Sequence, residues 1–149
     1  MISFLRYWLP FLVCMVLIFS ASSDAQSVAH TSRFLEPFLR WFKPDISAEA
    51  INAVRWGVRK AAHMTEFAVL AWLAWRALRR PVRQDLRPWS MRCAWGALGL
   101  AVLYATTDEL HQTFVPNRTG SIIDVAIDAT GAALGLLAVW MVFRWRRRR

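Results

Sequence analysis

Apolar segments alternate with short polar connections along this chain, and only one connection is crowded with acids. Ile2 to Ala21 is apolar apart from Arg6 and its serines. Cys93 to Thr107 and Ala129 to Phe143 each run 15 residues without a charge. Ala61 to Trp75 is apolar but carries His63 and Glu66, so its uncharged run shrinks to the nine residues from Phe67 to Trp75. A run of 15 residues at about 1.5 Å each spans about 22 Å, short of the roughly 30 Å of a bilayer core. To cross, each helix must draw flanking polar residues into or against the membrane. The pattern predicts an all-α integral membrane four-helix bundle, a single domain over residues 1–149, with transmembrane helices at about 2–21, 57–77, 91–109 and 122–143.

The connections set the orientation. Arg76 to Arg92 is short, strongly basic and holds Pro81 and Pro88, so it reads as cytoplasmic by the positive-inside rule, with Trp72, Trp75 and Trp89 as interfacial anchors. The third helix then runs outward to Asp108, the chain turns on the outside as far as Ser121, and the fourth helix returns to the Arg-rich tail. Both termini are expected in the cytoplasm. The stretch SASSDAQS after the first segment gives it the look of a signal peptide. Retention as a helix is nevertheless expected, because an even number of crossings puts both ends inside. Ser22 to Val58 reads as an outer loop of mixed charge. Within it, Phe34 to Phe42 (FLEPFLRWF) is too short to span and suits a short helix lying at the interface. Lys43-Pro44-Asp45 ends that helix, Asp45 or Ser47 is placed to cap the next, and Glu49 suits its first turn.

Composition agrees with a membrane protein: 56% of residues are hydrophobic, nine are Trp, and the mean hydropathy is +0.29. The formal charge of +9 does not point to nucleic acid, because the arginines gather at the ends of apolar segments. Charge placed there sets topology and attracts anionic lipid heads. Cys14 lies in mid-segment and Cys93 at the cytoplasmic start of the third, positions that make poor disulfide partners and give no metal spacing.

Candidate chemistry concentrates between Tyr104 and Gly135. Asp108, Glu109, His111, Gln112, Arg118, Asp124 and Asp128 fall within 21 residues, and charged groups drawn to the middle of a membrane helix each cost roughly 2.5–3.5 kcal/mol on insertion scales. The topology brings His63 and Glu66 to the same outer end. Lys60, His63, Glu66 and Phe67 cover about 120° of one helix face at about 100° per residue. Asp124, Asp128, Gly131 and Gly135 share one narrow stripe, and Gly131-x-x-x-Gly135 lets a neighbouring helix approach closely, so the carboxylates belong to a packed face. Lys60, His63 and Arg118 are the candidate partners of these acids. Pro116 to Gly120 reads as a turn presenting Arg118, a residue type suited to bidentate binding of phosphate or carboxylate.

These residues resemble the VanZ-like family of small bacterial membrane proteins. The resemblance rests on Lys60-x-x-His63 with Glu66-Phe67, on Asp108-Glu109-x-His111-Gln112-x-Phe114-x-Pro116-x-Arg118, and on Asp124-x-x-x-Asp128-x-x-Gly131 with Gly135. Asn117 stands where members often have Gly, and it tolerates the same turn. The family takes its name from a protein giving low-level resistance to teicoplanin. Membership implies a multi-pass protein of the bacterial inner (plasma) membrane with a role in the cell envelope. It implies no particular reaction, and resistance does not follow for this chain.

Three functions compete. The first is binding, with or without modification, of an anionic lipid or lipid-linked envelope precursor at the outer leaflet. Lys60, His63, Gln112, Arg118, Asp124 and Asp128 would form the ligand site, and His63, Glu66, Asp108 and Glu109 are the candidates for acid–base work. The second is a proton- or ion-coupled transport or assembly subunit, which four helices would build only as an oligomer. Against it, the acids all lie at one end and a relay normally continues across the membrane. The third is a non-catalytic scaffold docking other membrane proteins through Gly131 and Gly135. A metal held by His63, Glu66 and Asp108 or Asp124 is a lesser option, since those ligands select no single ion. The cofactor is unknown from sequence, and no nucleic-acid partner is expected.

Overall fold

The computed structural model describes residues 2–23, 27–79, 89–115, 120–146 and 148. Five helices account for nearly all of them: α1 (Ile2–Ser23), α2 (Ser27–Phe42), α3 (Ala48–Arg79), α4 (Met91–Gln112) and α5 (Ile122–Arg146). No strand occurs among the described residues. Two helices, α1 over Phe4–Ser22 and α5, are long and apolar enough to cross a membrane.

The second core helix is longer than the apolar pattern suggested. It starts at Ala48, directly after the expected Ser47 cap and well before the spanning segment placed from about 57, so much of the stretch from Ser22 to Val58 read as a loop is helical. The physical reason is local: Ser47 Oγ accepts the Ala50 N–H at 3.2 Å and Glu49 lies in the first turn, which satisfies and complements the helix start. Nothing between Ala48 and Lys60 breaks a helix except the tolerated Gly57. The helix expected over 34–42 likewise begins earlier, at Ser27, and carries Pro37 inside it. α2 folds back on the first turns of α3, where Ile51 is buried and Arg55 reaches Glu36 at 4.0 Å. This helical hairpin leaves Phe38, Trp41, Phe42 and Trp56 exposed.

Contacts at the two ends fix the relative directions. Tyr7 near the start of α1 lies under Arg76 at the end of α3. Trp75 stacks on Trp89 just before α4 and meets Phe143 near the end of α5. At the far end Ser22, Lys60, Asp108 and Asp124 come together. So α1 and α4 run one way, α3 and α5 the other. Arg6, Arg76, Arg79, Arg92, Arg144 and Arg146 therefore gather at one end and the acids at the opposite end.

Between the ends the core is narrow and built from small residues. Ala71, Ala74, Ala97, Ala101, Ala105 and Ala132 are buried, with Phe67 and Leu70 as the largest fully enclosed apolar side chains. Small side chains let helix axes approach, so van der Waals contact replaces interdigitated bulk. The closest approach is between α3 and α5. A Cβ at Gly131 would lie 2.6 Å from Met64 Cα, and one at Gly135 would lie 2.7 Å from Ala68 Cα. The Gly131-x-x-x-Gly135 surface is thus filled from within the chain, which corrects the idea that it docks another membrane protein.

Candidate functional site

The end opposite the arginines holds a buried polar cluster drawn from four helices. Its centre is Asp108, 2% exposed in the last turns of α4. Asp108 Oδ2 accepts two hydrogen bonds, from Ser22 Oγ at 2.8 Å and from Gln112 Nε2 at 3.0 Å. Gln112 stands four residues on, one helical turn away, and its amide also donates to Glu109 Oε1 at 3.0 Å. Glu109 Oε2 in turn accepts the backbone N–H of Ser121 at 2.9 Å. That bond ties the end of α4 to the residue just before α5.

The facing wall comes from α3 and α5. Lys60 Nζ meets Asp124 Oδ1 at 2.5 Å, with side chains 17% and 26% exposed, and also lies 5.6 Å from the centre of the Trp56 ring. His63 Nδ1 is 3.8 Å from Asp128 Oδ1, beyond hydrogen-bond length. Asp128 is 1% exposed, one turn along α5 from Asp124. These groups, with Arg59, Glu109, Gln112 and Ile127, line a recess of about 10 Å³, room for about one water. Two buried oxygens, Asp108 Oδ1 and Asp128 Oδ2, have no hydrogen-bond partner among the described residues. Orphaned buried acceptors are rare enough to need an explanation.

The structure brings together Lys60, His63, Asp108, Glu109, Gln112, Asp124 and Asp128, while Glu66 stays within electrostatic reach of Asp108 but off the recess wall. Glu66 lines a groove of about 490 Å³ between α1 and α3, beside Cys14, Ile18 and Thr65. The cause is helical phase: Glu66 is about 120° round from Lys60 at about 100° per residue, far enough to leave the α5 side. The trio of His63, Glu66 and Asp108 or Asp124 is consequently not assembled, and among the described residues no three His, Cys, Asp or Glu side chains are arranged to hold a metal ion. Arg118, with the rest of positions 116–119 of its turn, lies outside the described residues. His111 is turned to α1, its ring centre 4.4 Å from that of Phe19.

Sequence reasoning missed Ser22 and the Ser121 N–H as partners of the acids, and Arg59 as part of the wall. Ser22 carried a misleading signal, since SASS reads as the small-residue end of a leader. Only its distance from Asp108 in three dimensions shows its use. Removing that hydroxyl tests the link. Ser22→Ala strips one of the two donors from a fully buried carboxylate, and is expected to cost about 1–3 kcal/mol. The check is a lowered thermal unfolding midpoint of the detergent-solubilised protein, and an unchanged midpoint would show that α1 does not hold Asp108.

The profile of the VanZ/LLP1 family matches residues 7–144, nearly the whole chain and every residue of the cluster. The chain belongs to the VanZ/LLP1 family. Curated proteins and solved structures give no match. The three motif stretches of this VanZ/LLP1 chain are separated by up to tens of residues, yet Lys60 and His63 of the first, Glu109 and Gln112 of the second and Asp124 and Asp128 of the third share one recess. Family membership and two apolar helices give the chain membrane character.

Proposed function

We propose that the protein is a multi-pass bacterial inner-membrane protein in which α1, α3, α4 and α5 cross the bilayer, with both termini in the cytoplasm. The basic end of the bundle supports this orientation through the positive-inside rule. In this reading α2 and the start of α3 lie at the outer interface, where exposed Trp41, Phe42 and Trp56 suit the headgroup region.

Its working centre is the acidic recess, and its ligand is the charged head of an envelope lipid or lipid-linked precursor at the outer leaflet. The observation that carries this reading is the pair of buried carboxylate oxygens of Asp108 and Asp128, without a hydrogen-bond partner among the described residues, behind a partly exposed Lys60–Asp124 pair. As the recess has room for about one water, a ligand engages the rim rather than entering whole. Lys60 leaves Asp124 for a phosphate oxygen, while Asp124 and Asp128 face the amine or proton of the incoming head. Glycopeptide susceptibility would be touched only through such a precursor.

A second reading is a proton- or cation-holding centre serving transport or assembly. It is favoured by the excess of acid: Glu109, Asp124 and Asp128 line the recess against Lys60 and Arg59, with Asp108 directly behind. Beyond Asp108 and its neighbour Glu66 the core is built of alanine and larger apolar residues among the described residues, so the centre would act at one face.

Native mass spectrometry with metal analysis decides between them. Wild type is expected to retain a phosphate-bearing lipid that Lys60→Ala releases, with both proteins folded. A bound cation lost in Asp128→Asn, without lipid, would establish the second reading instead. Neither lipid nor ion in any variant would sink both and bring a scaffold role forward.

A further inference from the structure

At the basic end, on the opposite side of the bundle from the acids, α4 and α5 enclose an open apolar groove of about 370 Å³. Its walls include Trp89, Ala94 and Trp95 on one side and Ala133, Leu136 and Trp140 on the other. The α5 wall repeats along one stripe, since Ala133, Leu136, Leu137 and Trp140 fall within about 100° at about 100° per residue. Arg144 continues that same stripe one turn further. Its guanidinium carbon lies 5.2 Å from the centre of the Trp140 ring, which places the cation at the mouth of the groove. Arg92, in the first turn of α4, and Arg146 are exposed at the same end.

We propose that this groove seats an acyl chain of an anionic phospholipid whose phosphate is held by Arg144. The inference uses the membrane placement argued above but not the acidic recess. The walls are apolar and carry nothing to hold a free inorganic phosphate, whereas a lipid satisfies wall and mouth together. A planar guanidinium forks onto phosphate oxygens with directed hydrogen bonds, and basic groups at a cytoplasmic boundary meet anionic heads there. The three indoles of the wall suit the same depth, since Trp side chains favour the membrane–water boundary. A second copy of this chain is the weaker occupant. A two-fold contact through this groove would set Arg144 and Arg92 of one protomer beside those of its partner, and like charges at an interface oppose pairing.

The test uses the full-length protein in detergent micelles with equal amounts of phosphatidylglycerol and phosphatidylcholine bearing the same acyl chains. Native mass spectrometry is expected to find phosphatidylglycerol retained in preference. Arg144→Gln should cut that retention about fivefold, the scale of one basic contact with an anionic head. Ala133→Phe, which fills the groove, should lower retention of both lipids. Arg144 is exposed, so its variant keeps the test open even if the phenylalanine variant does not fold. Equal retention of the two lipids, or phosphatidylglycerol unaffected by Arg144→Gln, overturns the proposal. Phosphatidylglycerol lost in Lys60→Ala but kept in Arg144→Gln also overturns it, while leaving the recess reading standing. A dimer that Ala133→Phe dissociates would give the groove to a second copy.

Discussion

Gly131→Ala is expected to lower the stability of the bundle by about 3 kcal/mol, and Gly131→Leu to leave no monodisperse protein at all. The added methyl would sit 2.6 Å from Met64 Cα, and the atoms it meets belong to backbone, which cannot rotate aside. Overpacking in a close-fitted core ordinarily costs about 1–3 kcal/mol. Here relief requires two helix axes to part along their length, so the upper end of that range applies. A built-in control exists at Gly99, where an added Cβ meets nothing within 4 Å. Gly99→Ala removes a flexible residue from a helix interior and should be neutral or stabilising by up to about 1 kcal/mol. Size-exclusion profiles and thermal midpoints of the three variants in one detergent make the comparison. Equal tolerance at Gly131 and Gly99 would mean that α3 and α5 do not touch as described.

The second large effect is expected from the Lys60–Asp124 pair. Lys60→Met leaves Asp124 without its cation and in the company of Glu109 and Asp128, which line the same recess. Both partners are less than a third exposed, so solvent screens them weakly and the loss should be about 2 kcal/mol, within the range for coupled contact pairs. Asp124→Asn alone leaves the ammonium facing Glu109 and Asp128 in the same recess and should cost less. The double variant should recover part of the deficit, because Asp124 then no longer adds its charge to those of Glu109 and Asp128. Four unfolding midpoints close the cycle. A coupling near zero would show that the pair is an ordinary surface contact and would remove the rim from the proposed site.

Much of this arrangement could be read from the chain before any coordinates. The charge-free runs located α4 and α5, the arginines marked one end, and the spacing of Asp124, Asp128, Gly131 and Gly135 marked one face of α5. What escaped reading depended on phase or on long-range contact. Hydropathy marks where a helix is greasy rather than where it begins, so the start of α3 was legible from Ser47 and Glu49 and not from the apolar run. Glu66 shares a motif with His63 but falls about 120° from Lys60, and local sequence does not say which neighbour occupies each sector. Ser22 joins Asp108 across 86 residues. No periodicity carries that information.

The contact of α3 with α5 also determines how the recess can change shape. At Gly131 and Gly135 there is no layer of side chains between the two helices that could be re-packed to widen the gap. One whole side of the recess, with Lys60, His63, Asp124 and Asp128, is in effect a single plate. α4 is joined to that plate through side chains, chiefly Ala97, Ala101 and Ala105 near its axis, with the Glu109–Ser121 bond at its tip. Enlargement of the recess is therefore a hinge movement of the end of α4, and the span from Glu109 to Asp124 is the distance that measures it.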